Sequence, residues 1–525
     1  MGAELWAYVP YNLLPHLKWL MHKDYGENLH AAYVDLKPRI FDARVFFLPD
    51  GITPSSNSTH PNGWGTILVA GMRLGGAQID IDINKDGTAD RSATSAYIVM
   101  DITDPEQPPT LLGEIRMPGQ GFTTSYPTVM PMTARNANTA AANQWYLVFG
   151  SGPAKLVGSH GVANSTVLGV ETSNQNGRLF VVDLKALVAE GVLKTINSSG
   201  TLVAGGSVFA TTEAASYISD PVAVDLNIGP YATAGEFKTD VVYYGTVAGS
   251  QTNGLGTLRR FRTNNSQTPS DWVGINNQTL INVGKPITSA PSVAIDDLKR
   301  LWIYFGTGRF YNRGDILQES RMTFYGVKEP VDVNGTKTWA TVTSGLFNST
   351  DVTIVDNGTC GGVYKDYKED CVRVFKGGSL LAGAQAAGSW KNLTDTVTSA
   401  TGWRLDFSPA YERVLGQAAI LGGTVLFTSY TPSNDVCSFE GSSKLWALYY
   451  KTGTAYYRPI IGATGTTFNT SIDLGPGMAL TPNIHVGEKG ATAYVQSSTG
   501  AIETIEFATP YDARSGTVFW RKNTD

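Results

Sequence analysis

Two short strand patterns alternate along the whole chain, and this recurrence constrains the fold more than any other feature of the sequence. The first is an apolar run ending in small residues, as in Ile67-Leu68-Val69-Ala70-Gly71. It returns at 145–150, 241–245, 302–306, 425–429 and 492–496. The second alternates large residues and often runs into Asp or a turn, as in Tyr97-Ile98-Val99-Met100-Asp101. It returns at 179–183, 258–261, 322–326, 445–449 and 502–506, and 5–9 at the start reads the same way. Pro-containing strands precede three of the first type, at 127–129, 221–224 and 291–295. The repeating unit is therefore strand, hairpin, strand ending in Gly, hairpin, strand. A repeat that cannot bury its apolar face alone must stack on its neighbours, and a β-propeller is the commonest radial solution. Near-continuous apolar runs fit strands covered on both faces.

Six strands of the first type against seven of the second suggest about seven blades. The unmatched Leu5-Trp6-Ala7-Tyr8-Val9 would belong to a first blade with few N-terminal residues here. Seven repeats of roughly 45 residues leave on the order of 200 residues for insertions. These fall near 11–24, 78–95, 152–176, 187–217 and 331–402, the first read as an amphipathic helix with Leu14, Leu17, Trp19 and Leu20 inward. No linker-like boundary is visible, so 1–525 reads as a single domain. A β-sandwich, or two all-β domains, is the alternative.

Composition agrees with a strand-and-turn architecture. Only 16% of the 525 residues are charged and 42% are hydrophobic, with 57 Gly and 25 Pro. Helical bundles need more Lys and Glu on their wet faces. The net charge is −5 and no Lys/Arg run exists to neutralise phosphates, so nucleic-acid binding is not expected. No apolar stretch approaches the roughly 20 residues of a membrane-spanning helix. The start at Met1-Gly2-Ala3 carries no signal peptide and reads as the boundary of a fragment.

The sharpest local signal is Asp82-Ile83-Asn84-Lys85-Asp86-Gly87-Thr88-Ala89-Asp90. Oxygen-bearing side chains at every second residue, then Gly, then a further Asp, is how a short loop wraps a hard cation, and Ca²⁺ takes six to eight oxygens. Asp82, Asn84, Asp86 and Asp90 would give side-chain oxygens and Thr88 its carbonyl. Asp80 stands two residues upstream as an extra oxygen or a shield. The loop departs from an EF-hand, since Ala93 stands at the twelfth position and no helices flank it. A solvated Asp-Gly hairpin tip is the plainer alternative. A second stretch, Asp225-Leu226-Asn227 followed by Glu236 and Asp240, starts similarly, but its alternation breaks at Gly229-Pro230-Tyr231.

Cys360 and Cys371 flank a turn-rich loop and read as a small disulfide-closed ring, which leaves Cys437 over. No CxxC motif supports zinc or haem. The six His show no ligand spacing, and Asp101 and Asp183 read as turn caps rather than as paired glycosidase acids.

The ordered set Glu4-Leu5-Trp6-Ala7-Tyr8-Val9-Pro10, Tyr33-Val34-Asp35, Gly71-Met72-Arg73-Leu74-Gly75-Gly76, Ala96-Tyr97-Ile98-Val99-Met100-Asp101, Ser219-Asp220-Pro221-Val222-Ala223-Val224-Asp225, Tyr304-Phe305-Gly306-Thr307-Gly308-Arg309-Phe310 and Ser515-Gly516-Thr517-Val518-Phe519-Trp520-Arg521 resembles the C-terminal domain of the PilY/PilC family of type IV pilus biogenesis factors and tip adhesins. The resemblance covers nearly the whole chain. It implies a modified seven-bladed propeller with long inserted loops and one or two short helices. It also implies an extracellular place at the cell surface or pilus tip, reached through the periplasm, and partners among the minor pilins. Calcium in a DxNxDxxxD loop, matched here by Asp82, Asn84, Asp86, Thr88 and Asp90, is expected to bear on pilus extension against retraction, adhesion and twitching. The family loop often lies in the strand pair that here holds Asp225 to Asp240, whereas the clean motif sits earlier. The N-terminal half usual in the family is absent. Two other readings stand beside this one: a calcium-stabilised adhesin for a host or surface ligand without pilus regulation, and a quinoprotein-type propeller enzyme. No repeated tryptophan docking motif supports the second.

Overall fold

The computed structural model describes residues 4–25, 29–48, 50, 52–133, 143–154, 163–164, 172–190, 206–226, 237–249, 254–272, 277–311, 313–317, 320–408, 410–433, 441–487 and 490–512. Strands dominate, with few helices, so the all-β expectation holds. Two compact units are formed, residues 1–290 with 311–315, and residues 291–310 with 316–525.

Among the described residues, the first unit holds three antiparallel sheets of four or more strands, besides two two-stranded pairs. The first runs Arg39–Arg44, Trp64–Gly71, Tyr97–Asp101, Thr110–Ile115. The second runs Thr128–Thr133, Asn143–Gly150, Arg178–Asp183, Gly206–Ala210, with Phe237–Lys238 added beside Thr128–Thr133. In the third, Ser216–Ile218 and Val222–Val224 both pair with Val241–Gly249, followed by Thr257–Arg262 and Asn277–Asn282.

The second unit repeats the scheme. Its sheets are Ser292–Ile295, Leu301–Gly306, Thr323–Lys328, Gly402–Asp406, then Ala419–Leu421, Thr424–Thr431, Ser442–Tyr449, Ser471–Pro476, and last Asn483–Gly487, Gly490–Gln496, Ile502–Phe507. All six glycine- or small-residue-ended runs fall on the second strand of a sheet. The six matched runs of the other pattern fall on the third strand. Strands Leu301–Gly306 and Thr323–Lys328 are buried at every residue, as two-sided packing requires.

The glycine endings have a packing cause. A Cβ on Gly71 would run into the Leu36 side chain, and one on Gly150 would lie 2.5 Å from Ile218 Cβ. Gly245 and Gly306 meet Ile287 and Val414 in the same way. A hydroxyl clasp repeats the theme in the first unit. Ser125 Oγ accepts the Gly150 N–H at 2.9 Å and donates to the Ser219 carbonyl, and Ser219 Oγ accepts the Gly245 N–H at 3.0 Å.

Four expectations are corrected. Residues 5–9 form no strand and pair with no strand among the described residues. Instead the buried Glu114 carboxylate gathers this segment, accepting from Tyr8 Oη at 2.6 Å, Tyr11 N at 2.5 Å, and Asn12 N and Nδ2 at 3.1 and 2.6 Å. The following helix, Tyr11–Met21, is 3₁₀ with Pro15 inside. At three residues per turn its inward side is Asn12, Leu13 and His16, while Leu14, Leu17 and Leu20 are exposed and Trp19 is half-buried.

The stretch 187–217 is not all insertion, since Gly206–Ala210 completes the second sheet. The insertion 331–402 builds its own sheet from Val352–Asp356, Val372–Lys376 and Ser379–Leu380, joined by Thr467–Phe468 and Ala463–Thr464. It also carries the helix Trp390–Ser399, capped by Ser389 Oγ on Asn392 N.

The Cys360–Cys371 disulfide is formed. Asp183 caps Leu184–Glu190 through Lys185 N and Ala186 N, and Asp101 holds Thr103 N, so both act as caps. Cys437, residues 515–521 and the Asn227 to Glu236 part of the second acidic stretch lie outside the described residues.

Candidate metal centre

Strands Ile79–Ile81 and Arg91–Ala93 pair antiparallel, with Asp80 opposite Ser92 and Ile81 opposite Arg91. Residues 82–90 form the loop at the end of this hairpin, with Asp82 half-buried and 83–90 exposed to solvent. The turn needs two residues at positive φ, Lys85 at 62° and Gly87 at 89°; nothing lies near a Cβ on Gly87, so backbone freedom is what the glycine supplies.

Asp82 organises the loop. Its Oδ1 accepts Lys85 N at 2.6 Å and Asp86 N at 3.2 Å, and its Oδ2 accepts Gly87 N at 2.8 Å. Asp90 closes the ring, accepting Ile83 N at 2.6 Å and Asn84 N at 3.2 Å, while its own N–H reaches the Ile81 carbonyl at 2.9 Å. Asp86 Oδ1 accepts Thr88 N at 2.8 Å. That bond, with the Asn84 amide, holds the Asp86 carboxyl below its ordinary range. Between Asp86 and Asp90 stands the Asn84 Nδ2, 3.0 Å from Asp86 Oδ2 and 3.5 Å from Asp90 Oδ1.

The five expected residues thus share one ring, with Thr88 entering through its N–H. The acids do not converge as a ligand cage. Among the described residues, the one set of three His, Cys, Asp or Glu ligand atoms all within 4.8 Å of one another is Cys360, Asp370 and Cys371. The two sulfurs there are bonded to each other, so that set offers no thiolate. The donor chemistry of residues 82–90 nevertheless fits a hard cation. A carboxylate has about four lone-pair sites, so oxygens holding backbone N–H groups keep acceptor capacity. Turning the Asn84 amide over would place its carbonyl oxygen where its NH₂ now bridges two carboxylates. Asp80 is spent on the stem, accepting Gln78 Nε2 at 3.0 Å and Ser92 Oγ at 2.5 Å.

The hairpin stem is tied to the N-terminal helix. The Arg91 guanidinium sits 3.3 Å from the Tyr11 ring centroid, and His16 Nε2 lies 2.9 Å from the Ala77 carbonyl. Sequence reasoning missed Glu114 and Arg91, since nothing in their spacing marks partners some 80 to 106 residues away.

Fold and loop define a β-sheet module with long inserted loops, one of which has the residue pattern of a calcium loop. No protein-family model matches the chain. A type IV pilus biogenesis factor PilY1 homolog of Xylella fastidiosa (strain Temecula1) is 23% identical over 541 aligned positions, covering 99% of this chain and 34% of the relative. A second homolog of that name and strain is 24% identical over 485 positions, covering 86% of the chain and 25% of the relative. The chain therefore spans about a third or less of the length of the curated relatives it matches. The crystal structure of the Pseudomonas aeruginosa PilY1 C-terminal domain superposes with a TM-score of 0.56 at 18% identity, covering 96% of this chain and 88% of that one. The chain is related in sequence to the PilY1 homologues and shares the fold of a PilY1 C-terminal domain, as its ordered motifs indicated.

Proposed function

We propose that this chain is the calcium-binding C-terminal module of a type IV pilus biogenesis factor, its sheets arranged as a modified seven-bladed propeller. It would act outside the cell, at the surface or pilus tip, in concert with minor pilins. Its work is assembly and attachment, not catalysis. The sequence relationship to the PilY1 homologues supports the pilus role. The observation that carries the calcium reading is the loop itself: Asp82, Asn84, Asp86 and Asp90 meet in one ring on a hairpin whose stem is anchored to the N-terminal helix. Cation binding would replace the side-chain bridge between Asp86 and Asp90 and stiffen the hairpin where it meets that helix.

The test is a calorimetric calcium titration beside a piliation assay. Wild type is expected to take up one Ca²⁺ with a Kd of about 0.1–1 mM, the range of extracellular modules, and Asp82→Ala to lose it. Asp90→Ala is expected to shift the balance of pilus extension and retraction. Loss of calcium with unchanged piliation and retraction would leave a structural ion only. A wild-type chain that ignores millimolar calcium would end the reading.

A further inference from the structure

In the second unit a cavity of about 940 Å³ lies where the disulfide-closed ring 360–371 meets the last sheet. Its size is at the upper end of the range of small-molecule sites. Tyr364 and Lys365 of the ring form one wall, and the segment 456–460 meets residues 507–510 in another. These two segments are pinned together. Ala508 N donates to the Ile460 carbonyl at 2.8 Å, and Arg458 Nη2 to the Pro510 carbonyl at 2.7 Å. The buried Trp390 packs edge-on against Tyr456 and Tyr457, with ring centroids 5.4 and 5.5 Å away. The Arg458 guanidinium lies 5.5 Å from the centroids of the same two tyrosines. This part of the wall therefore has a fixed shape.

Tyr364 is exposed, yet its ring is held in place. It stands edge-to-face with Tyr367 at 5.2 Å and with Phe468 at 5.6 Å. Tyr367 is itself buried, and its Oη donates to Asp356 Oδ2 at 2.7 Å. The Cys360–Cys371 bond closes the chain around this pair. Polar groups come from the three strands of the last sheet. His485 pairs with Thr492, and Thr492 with Glu506. Residues directly opposite point to one face, about 5 Å apart at Cβ, so an imidazole, a hydroxyl and a carboxylate stand in a row on the cavity wall. Among the described residues, none of these three side chains is hydrogen-bonded. Lys365 and Arg458 share the wall with Glu506 and Asp512, so the charges are mixed and no field of one sign selects an ion. An aromatic surface accepts the C–H face of a sugar ring, and a row of mixed donors and acceptors matches its hydroxyls.

We propose that this cavity binds a neutral oligosaccharide, with Tyr364 as the stacking surface and His485 and Glu506 as hydroxyl contacts. The site does not depend on calcium at residues 82–90. Lactose, maltotriose and N,N′-diacetylchitobiose should be titrated against the whole chain by saturation-transfer NMR, with inorganic phosphate as the charged control. At least one of the three sugars is expected to bind saturably, and more tightly than phosphate. Tyr364→Ala is expected to weaken that sugar about three- to tenfold, the worth of one aromatic contact, without changing the circular dichroism. Tyr364→Phe keeps the ring and is expected to bind as wild type does. Glu506→Gln, at an exposed position, is expected to weaken binding severalfold, and carries the test alone if Tyr364→Ala does not fold. No saturable binding of any of the three sugars, phosphate binding as tight as theirs, unchanged affinity in Tyr364→Ala or Glu506→Gln, or an equal loss in Tyr364→Phe and Tyr364→Ala would overturn the proposal.

Discussion

At the scale of single residues, buried carboxylates do more structural work here than the exposed acids of the loop. Asp220 accepts the Tyr126 N–H at 2.7 Å, and burial pushes its carboxyl up to about 7 against the pull of that bond and of Arg73. The folded chain therefore holds this proton to higher pH than the unfolded chain, whose carboxyl titrates near 3.8. The unfolded state binds fewer protons in that window, so stability falls as pH rises from about 4 towards 7 and levels off above. Asp220→Asn keeps an acceptor for Tyr126 and cannot ionise. Urea midpoints across pH 4.5 to 8 are expected to lose this component of the slope in the variant. Parallel curves for the two proteins would show that Asp220 is ionised throughout. Glu114 acts differently: it accepts from four donors and organises residues 8–12.

At the scale of elements, the helix Trp390–Ser399 shows how a sheet holds an insertion in place. Its final carbonyls have few backbone partners, as at any helix end, the Val397 oxygen accepting the Ala400 N–H at 3.2 Å. Lys328, from the strand Thr323–Lys328, supplies them, with Nζ 2.8 Å from the Val397 oxygen, 3.0 Å from Thr398 and 2.8 Å from Ala400. The same ammonium sits 4.9 Å from the centroid of the Trp302 ring. Burial, and next Arg300, push its pKa down to about 7. Three acceptors matched to three donors nonetheless make the ammonium the form that fits. Lys328→Met takes a donor from each of these carbonyls, leaving Val397 with the Ala400 N–H at 3.2 Å and Thr398 with Arg300 Nη1 at 3.5 Å, and a loss of about 1–3 kcal/mol is expected, read from the denaturant midpoint. An unchanged midpoint would mean that water replaces the lysine at no cost. The 3₁₀ helix Tyr11–Met21 teaches the opposite lesson about elements. Leu14, Leu17 and Leu20, read from the sequence as part of the inward face, stand three residues apart and form one exposed stripe of this helix, while Leu13 and His16 line the buried one.

At the scale of the whole molecule, protection from hydrogen exchange should follow burial strand by strand. Leu147, Val181, Val242, Ile303 and Phe427 lie in second or third strands and are almost wholly buried. Their amides are expected to exchange slowest, near the global unfolding limit. The hairpin tip 82–90 should exchange among the fastest, and millimolar calcium should slow it in wild type but not in Asp82→Ala. Calcium-independent protection at the tip would contradict the metal reading. The strand repeat was legible because burial on both faces writes an apolar run directly into the chain, and the small residues at strand ends record a close approach by Leu36, Ile218, Ile287 or Val414. That Asp82, Asn84, Asp86 and Asp90 share one loop was legible because so short a turn closes locally, the acids accepting its own backbone N–H groups. What the tertiary structure alone decided are the long-range attachments: the absence of a strand at 5–9, the extra sheet within 331–402, the Glu114 clasp and the cavity beside Tyr364. Each depends on groups far apart in sequence meeting at one place, and neither periodicity nor residue spacing encodes which distant partner a buried charge or an unpaired edge will find.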